Sequence, residues 1–206
     1  EEQRHPWSVN KSQELYCPLL RIWDEMSGSQ PDKNECMLSR SPNQYLKTKE
    51  ARENSLAIHL DHKDWTPTPY ISFTRSADAI KELVKLRIDR KRGNQTLTVI
   101  DPVARLRNGL PILDVAAEME HYCIPDPYKR GSKYYIDHYV CLWEVTDKEI
   151  VGHWDWEEFA ETTNWYEEVI IPALLEFRGR EKPDSAPTHA LAFDMSMMIE
   201  SLPGES

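Results

Sequence analysis

Stretches that alternate apolar and polar residues with the period of a strand are interleaved, along this chain, with stretches spaced for a helix. The longest alternation covers residues 134–145. Tyr134, Ile136, His138, Val140, Leu142 and Glu144 form one row, and Tyr135, Asp137, Tyr139, Cys141, Trp143 and Val145 the other. A polar turn and a second strand follow, ending near Trp156. Shorter strands are predicted at Leu19–Trp23, Tyr70–Thr74 and Thr96–Ile100, the second kept out of a helix by Pro67 and Pro69.

The strongest helix signal follows Ser76, an N-cap residue. Asp78 suits the positive helix end, and Ile80, Leu83, Val84 and Ile88 make an apolar stripe that stops at Gly93. Weaker helical spacing covers residues 43–60, with Tyr45, Leu46, Leu56 and Leu60 as core contacts, and residues 112–122. A helix over residues 165–178 contains Pro172, which removes a backbone donor and predicts an interruption or a kink. Residues 1–18 read as a polar N-terminal arm, 19–178 as a single domain, and 179–206 as a linker with a short helix over 190–202. Neither the regular strand–helix–strand repeat of a doubly wound sheet nor a glycine-rich phosphate loop is present, so the pattern predicts an α+β fold, a mostly antiparallel sheet with flanking helices.

With 206 residues and 40% hydrophobic content, the chain buries one substantial core. No apolar run approaches the roughly 18 residues of a membrane span, which predicts a soluble protein without a membrane partner. The formal charge of −10 counts against a broad grip on nucleic acid. A local exception is the basic set Lys81, Lys85, Arg87, Arg90, Lys91 and Arg92, whose default reading is a solvated helix face. Cys17, Cys36, Cys123 and Cys141 show no zinc spacing, and His59 and His62, with Asp61 and Asp64, lack a further ligand at matching spacing, so no metal is expected. Asn10-Lys11-Ser12 and Asn94-Gln95-Thr96 fit the glycosylation acceptor pattern and leave secretion open, while the lack of a signal peptide favours a cytoplasmic setting.

Candidate chemistry comes from polar groups set inside apolar strands, where burial is unfavourable unless they are paired. Arg21 lies on the first strand, Ser72 and Thr74 on the second, Asp137 and His138 on the long one. An arginine grips phosphate or carboxylate, hydroxyls hold a ribose or amide, and an acid or imidazole moves a proton. Tyr134 and Tyr139 flank the last pair as substrate contacts or proton donors. No GxSxG is present, and no cysteine sits in a recognisable nucleophile context.

The order of an arginine strand, then PTPYISFTRS and a helix, then DHYVCLWEVTDKEIVGHW, resembles a fungal domain whose pattern is similar to that of the ADP-ribosyltransferase superfamily. The resemblance spans roughly residues 19–156 and implies a split sheet with a cleft for NAD, in which Arg21 contacts phosphate while Ser72 and Thr74 shape the nicotinamide pocket. One departure matters: the superfamily's catalytic glutamate falls near His138, and an imidazole does not supply the anion that an oxocarbenium-like centre needs. Glu144 lies roughly 20 Å further along an extended strand. The resemblance therefore implies a transferase-like cleft for a nucleotide-containing donor, with altered chemistry carried by His138 and Asp137.

Two other classes stand beside this reading. One is a synthase of fungal secondary metabolism that uses aminoacyl-tRNA to build an arginine-containing cyclodipeptide, with the basic helix and Lys129, Arg130 and Lys133 on the RNA backbone. The other is a non-catalytic binding module with an aromatic surface drawn from Trp143, Trp154, Trp156 and Trp165. Core packing is the default for Trp143 and Trp154.

Overall fold

The three short strands form where their alternation places them: β1 (Leu19–Trp23), β3 (Tyr70–Thr74) and β4 (Thr96–Ile100). A computed structural model describes residues 1–7, 15–129, 132–159 and 162–180; the helix expected over 190–202 lies outside these. β5 (Ile112–Asp114), β6 (His138–Leu142) and β8 (Ile150–Asp155) complete a sheet of order β5-β6-β3-β1-β4-β8, antiparallel at every pairing. β2 (Met37–Leu38) pairs separately with β7 (Glu144–Val145). The chain is thus a mixed α and β structure with an antiparallel six-stranded sheet. No helix among the described residues is long and apolar enough to cross a membrane.

One seam of this sheet is weak. β1 holds β4 through five register pairs, but it meets β3 at Leu20 opposite Thr74 alone. On the face that carries these two residues, two apolar cores lie side by side. Tyr70, Val140 and Leu142 pack with Leu56 and Leu60 of α1 (Lys49–Leu60) and with Val115, Met119 and Tyr122 of α4 (Val115–Tyr122). Leu20, Ile22, Leu97 and Val99 pack with Ile80 and Val84 of α2 (Ala77–Asp89). Between the two cores the sheet presents Ser72, Thr74 and His138. A third core, including Leu19, Ile71, Phe73 and Cys141, covers the other face.

Several expectations are corrected. Residues 134–145 are not one strand: Ser132–Tyr135 is a 3-10 turn, and Asp137 and Trp143, at φ of 67° and 65°, bracket β6 with left-handed backbone. A row of alternating residues extended past those two positions has no common face. Residues 112–114 form a strand, because Asp114 caps α4 by accepting from Ala117 N at 3.1 Å and so starts the helix only at Val115. α1 starts after Thr48, and Tyr45 is exposed. Ile88 of α2 is exposed too, and the half-buried Arg87 continues the inward stripe.

The last helix is interrupted just ahead of Pro172. The turn before it, Tyr166–Ile170, is a wider π-helix, and α6 (Ile171–Arg180) follows directly, passing beyond the residue where the linker was expected. α3 (Pro102–Arg107) and α5 (Trp156–Phe159) were not legible in the pattern. Trp156 and Trp165 are buried, at edge-to-face distance of 5.6 Å, which removes them as an exposed aromatic surface.

Residues 1–7 pack against the domain. Trp7 is buried, its indole nitrogen donates to Glu118 at 3.0 Å, and the Arg52 guanidinium stacks 3.7 Å from its ring centroid while pairing with Glu2. Arg105 of α3 has no exposed surface; it bonds Glu149, also fully buried, and the carbonyls of Pro111, Leu142 and Glu144. One guanidinium thereby locks α3 to the ends of β6 and β8.

Candidate functional site

The polar seam is the floor of a cavity of roughly 250 Å³. Arg21, Ser72, Thr74, Tyr134, His138 and Tyr139 all line it, so the segments singled out in the sequence converge. α1 adds His59, the turn after it adds His62, and α2 adds Arg87. Asp137 is not in the lining. Its carboxylate pairs with Arg75 and its carbonyl accepts from Arg75 N at 3.1 Å, because the left-handed backbone there turns it aside from His138.

Arg21 sits at the weak seam. Where β1 and β3 part, its Nη1 donates to the freed carbonyl of Ser72 at 3.1 Å and Nη2 donates to Ser29 O at 3.2 Å. Nε is buried without a partner. Among the described residues it has no carboxylate contact. Burial, with Arg87 nearby, lowers its pKa to about 10, which still leaves it charged at neutral pH. Arg87 is engaged differently: Asp24, almost fully buried, takes Arg87 at 2.5 Å and Arg92 at 2.7 Å.

His59 ends α1 over the cavity. Its Nε2 meets Ser72 Oγ at 2.8 Å and its Nδ1 meets Thr68 Oγ1 at 2.9 Å. Burial, with the charge of Arg21 second, lowers its pKa to about 3, so the ring is neutral and presents one donor and one acceptor. Ser72 is exposed and Thr68 is buried, so the chain of three side chains runs from the cavity inward. His138 is half-buried with Tyr134 edge-on at 5.4 Å, and burial likewise lowers its pKa. Burial raises the Tyr139 phenol to about 12.

His59 was read from the sequence only as half of a weak metal motif. Among the described residues no three His, Cys, Asp or Glu side chains converge on a metal site. The useful signal was an imidazole at the polar end of an amphipathic helix, and its partner lies 13 residues away in sequence. The basic set on α2 and the turn after it divides: Arg87 and Arg92 are bound to Asp24, Lys81 meets Asp78 at 3.4 Å, and Lys85, Arg90 and Lys91 are exposed.

Among the described residues no carboxylate lines this cavity, although the chain carries 35 acidic residues. The site is a pocket of cationic and neutral hydrogen-bonding groups, suited to an anionic ligand and to proton movement through imidazole. A comparison with curated proteins finds no match. A family described as a domain of unknown function, DUF7587, matches residues 16–159, a span that includes every residue lining the cavity, and the chain belongs to that family.

Proposed function

We propose that the chain is a group-transfer enzyme whose cavity receives the anionic portion of a nucleotide-containing donor. The observation that carries this reading is Arg21, a cation held by two backbone carbonyls in a lining that has no carboxylate among the described residues. A guanidinium so placed, with Nη1 and Nη2 resting on neutral carbonyls, gains most from a phosphate or carboxylate. At roughly 250 Å³ the cavity is below the usual range for a whole drug-sized ligand. It holds one group of the donor, and the remainder rests at the mouth.

For NAD the fit is partial. Arg21 and the hydroxyls of Ser72 and Thr74 suit a phosphate and a ribose, but the lining supplies no anion for an oxocarbenium-like centre. No glycosyl-transfer step is assigned. The acyl-transfer alternative, with aminoacyl-tRNA as donor, is favoured by one observation: such chemistry needs a base and a cation, and His59 lies in the same cavity as Arg21. Two of the six basic residues between positions 81 and 92, Arg87 and Arg92, are already bound to the buried Asp24, which reduces the surface left for an RNA backbone.

Thermal denaturation in the presence of AMP, ADP-ribose, NAD and aminoacyl-tRNA tests the reading. A ligand at 100 times its Kd stabilises by about 2.7 kcal/mol, a rise of about 5–11 °C at this chain length. Arg21→Gln is expected to abolish that rise. A flat response across the four ligands would remove the proposal, and tRNA binding that does not weaken with salt would remove its RNA form.

A further inference from the structure

We infer that Ser72 is a nucleophile that accepts an acyl group from an activated ester, with His59 as its base and Thr68 as the group that positions that base. The inference rests on the reading of this cavity as a transfer site and names its chemistry. Three observations carry it. Ser72 Oγ is exposed and 2.8 Å from His59 Nε2, the spacing that proton transfer requires. The other ring nitrogen is 2.9 Å from the buried Thr68 hydroxyl, which fixes the ring plane and accepts from Nδ1–H in the tautomer that leaves Nε2 free to take a proton. Arg21 donates to the carbonyl of Ser72 itself, so a guanidinium stands beside the nucleophile where an oxyanion develops.

The step balances without a further reactant. Ser72 Oγ attacks the ester carbonyl carbon as its proton passes to Nε2. The tetrahedral centre collapses, the bond from carbonyl carbon to the leaving oxygen breaks, and Nε2 returns the proton to that oxygen. An ester on Ser72 remains. An amine, or water, then attacks the ester, gives its proton to Nε2, and Ser72 Oγ leaves with that proton. Burial first and the charge of Arg21 second hold His59 back from accepting a proton, and an anionic donor group beside Arg21 offsets the second of these.

A structural role alone accounts for the same hydrogen bonds, so the test must read a covalent product. The full chain is incubated with p-nitrophenyl acetate near neutral pH, and the acetylated residue is located by peptide mass mapping. Acetyl on Ser72 in the wild-type chain is expected. His59→Gln should slow its formation by about 100-fold or more, Thr68→Val should slow it less, and Thr68→Ser should restore it. Melting curves accompany each variant, and the wild-type mapping does not depend on any variant folding. No acetylation, acetylation elsewhere than Ser72, or an unchanged rate in folded His59→Gln would overturn the inference. AMP binding to Ser72→Ala, measured by calorimetry, separates the two readings. If AMP binds while Ser72 is inert, the donor site stands and the nucleophile fails; if Ser72 is acylated while AMP does not bind, the reverse holds.

Discussion

Acidification should destabilise this fold through His59 before any carboxylate titrates. An unfolded histidine titrates near 6.5, whereas the folded ring, buried beside Arg21, titrates at about 3. Between these values the unfolded state binds the additional proton, so stability is complete above the unfolded pKa and falls as pH drops through it. Integrated from pH 7.5 to 5, one such group removes about 2 kcal/mol. Any folded value below about 5 gives nearly the same loss, so the magnitude is insensitive to the depth of the shift. For a chain of this length the loss corresponds to about 4–8 °C in Tm. The measurement is urea denaturation at half-unit pH steps for wild type and His59→Gln. His138 and His153, also depressed by burial, titrate in both proteins, so the difference between the curves isolates His59. Parallel curves would show that the ring takes up a proton as readily folded as unfolded, and the neutral hydrogen-bonded imidazole would be refuted.

Replacing Arg105 with Met leaves the fully buried Glu149 carboxylate and three carbonyls without their donor, an expected loss of about 3–5 kcal/mol. Chemical denaturation measures it, and Glu149→Gln on the Met background should recover part of the loss; a cost under about 1 kcal/mol would mean water replaces the guanidinium. His138→Ala should leave Tm within a few degrees, because its ring is half-buried, yet lower the nucleotide-induced rise in Tm. Asp137→Asn, which breaks only its pair with Arg75, should change stability by less than about 1 kcal/mol and leave Ser72 acetylation unchanged. Equal effects of these two substitutions on ligand binding would show that the left-handed turn does not separate their roles.

The cavity's floor was legible because strand alternation is a local property. Arg21, Ser72, Thr74 and His138 are polar residues in short apolar strands, and such residues are rarely placed there without a partner. Asp137 was misplaced for an equally local reason. Alternation predicts a strand only while φ stays extended, and the positive φ at Asp137 is set by its carbonyl and carboxylate both meeting Arg75, a residue far along the chain. The burial of Trp7 left no trace in the pattern because it stands in a polar segment and its pocket is built by Arg52 and Glu118, far along the chain.

By itself the sequence determined β1, β3 and β4 and the Ser76 cap of α2, since these depend on period and on neighbours within a turn. Tertiary structure decided which rows meet. The single β1–β3 register pair opens the seam into which Arg21 reaches, and the end of α1 falls over β3, bringing His59 to Ser72. Contacts between residues 13 and 51 apart in sequence leave no periodic trace. They arise only when two apolar cores pack against one sheet face and leave polar residues between them.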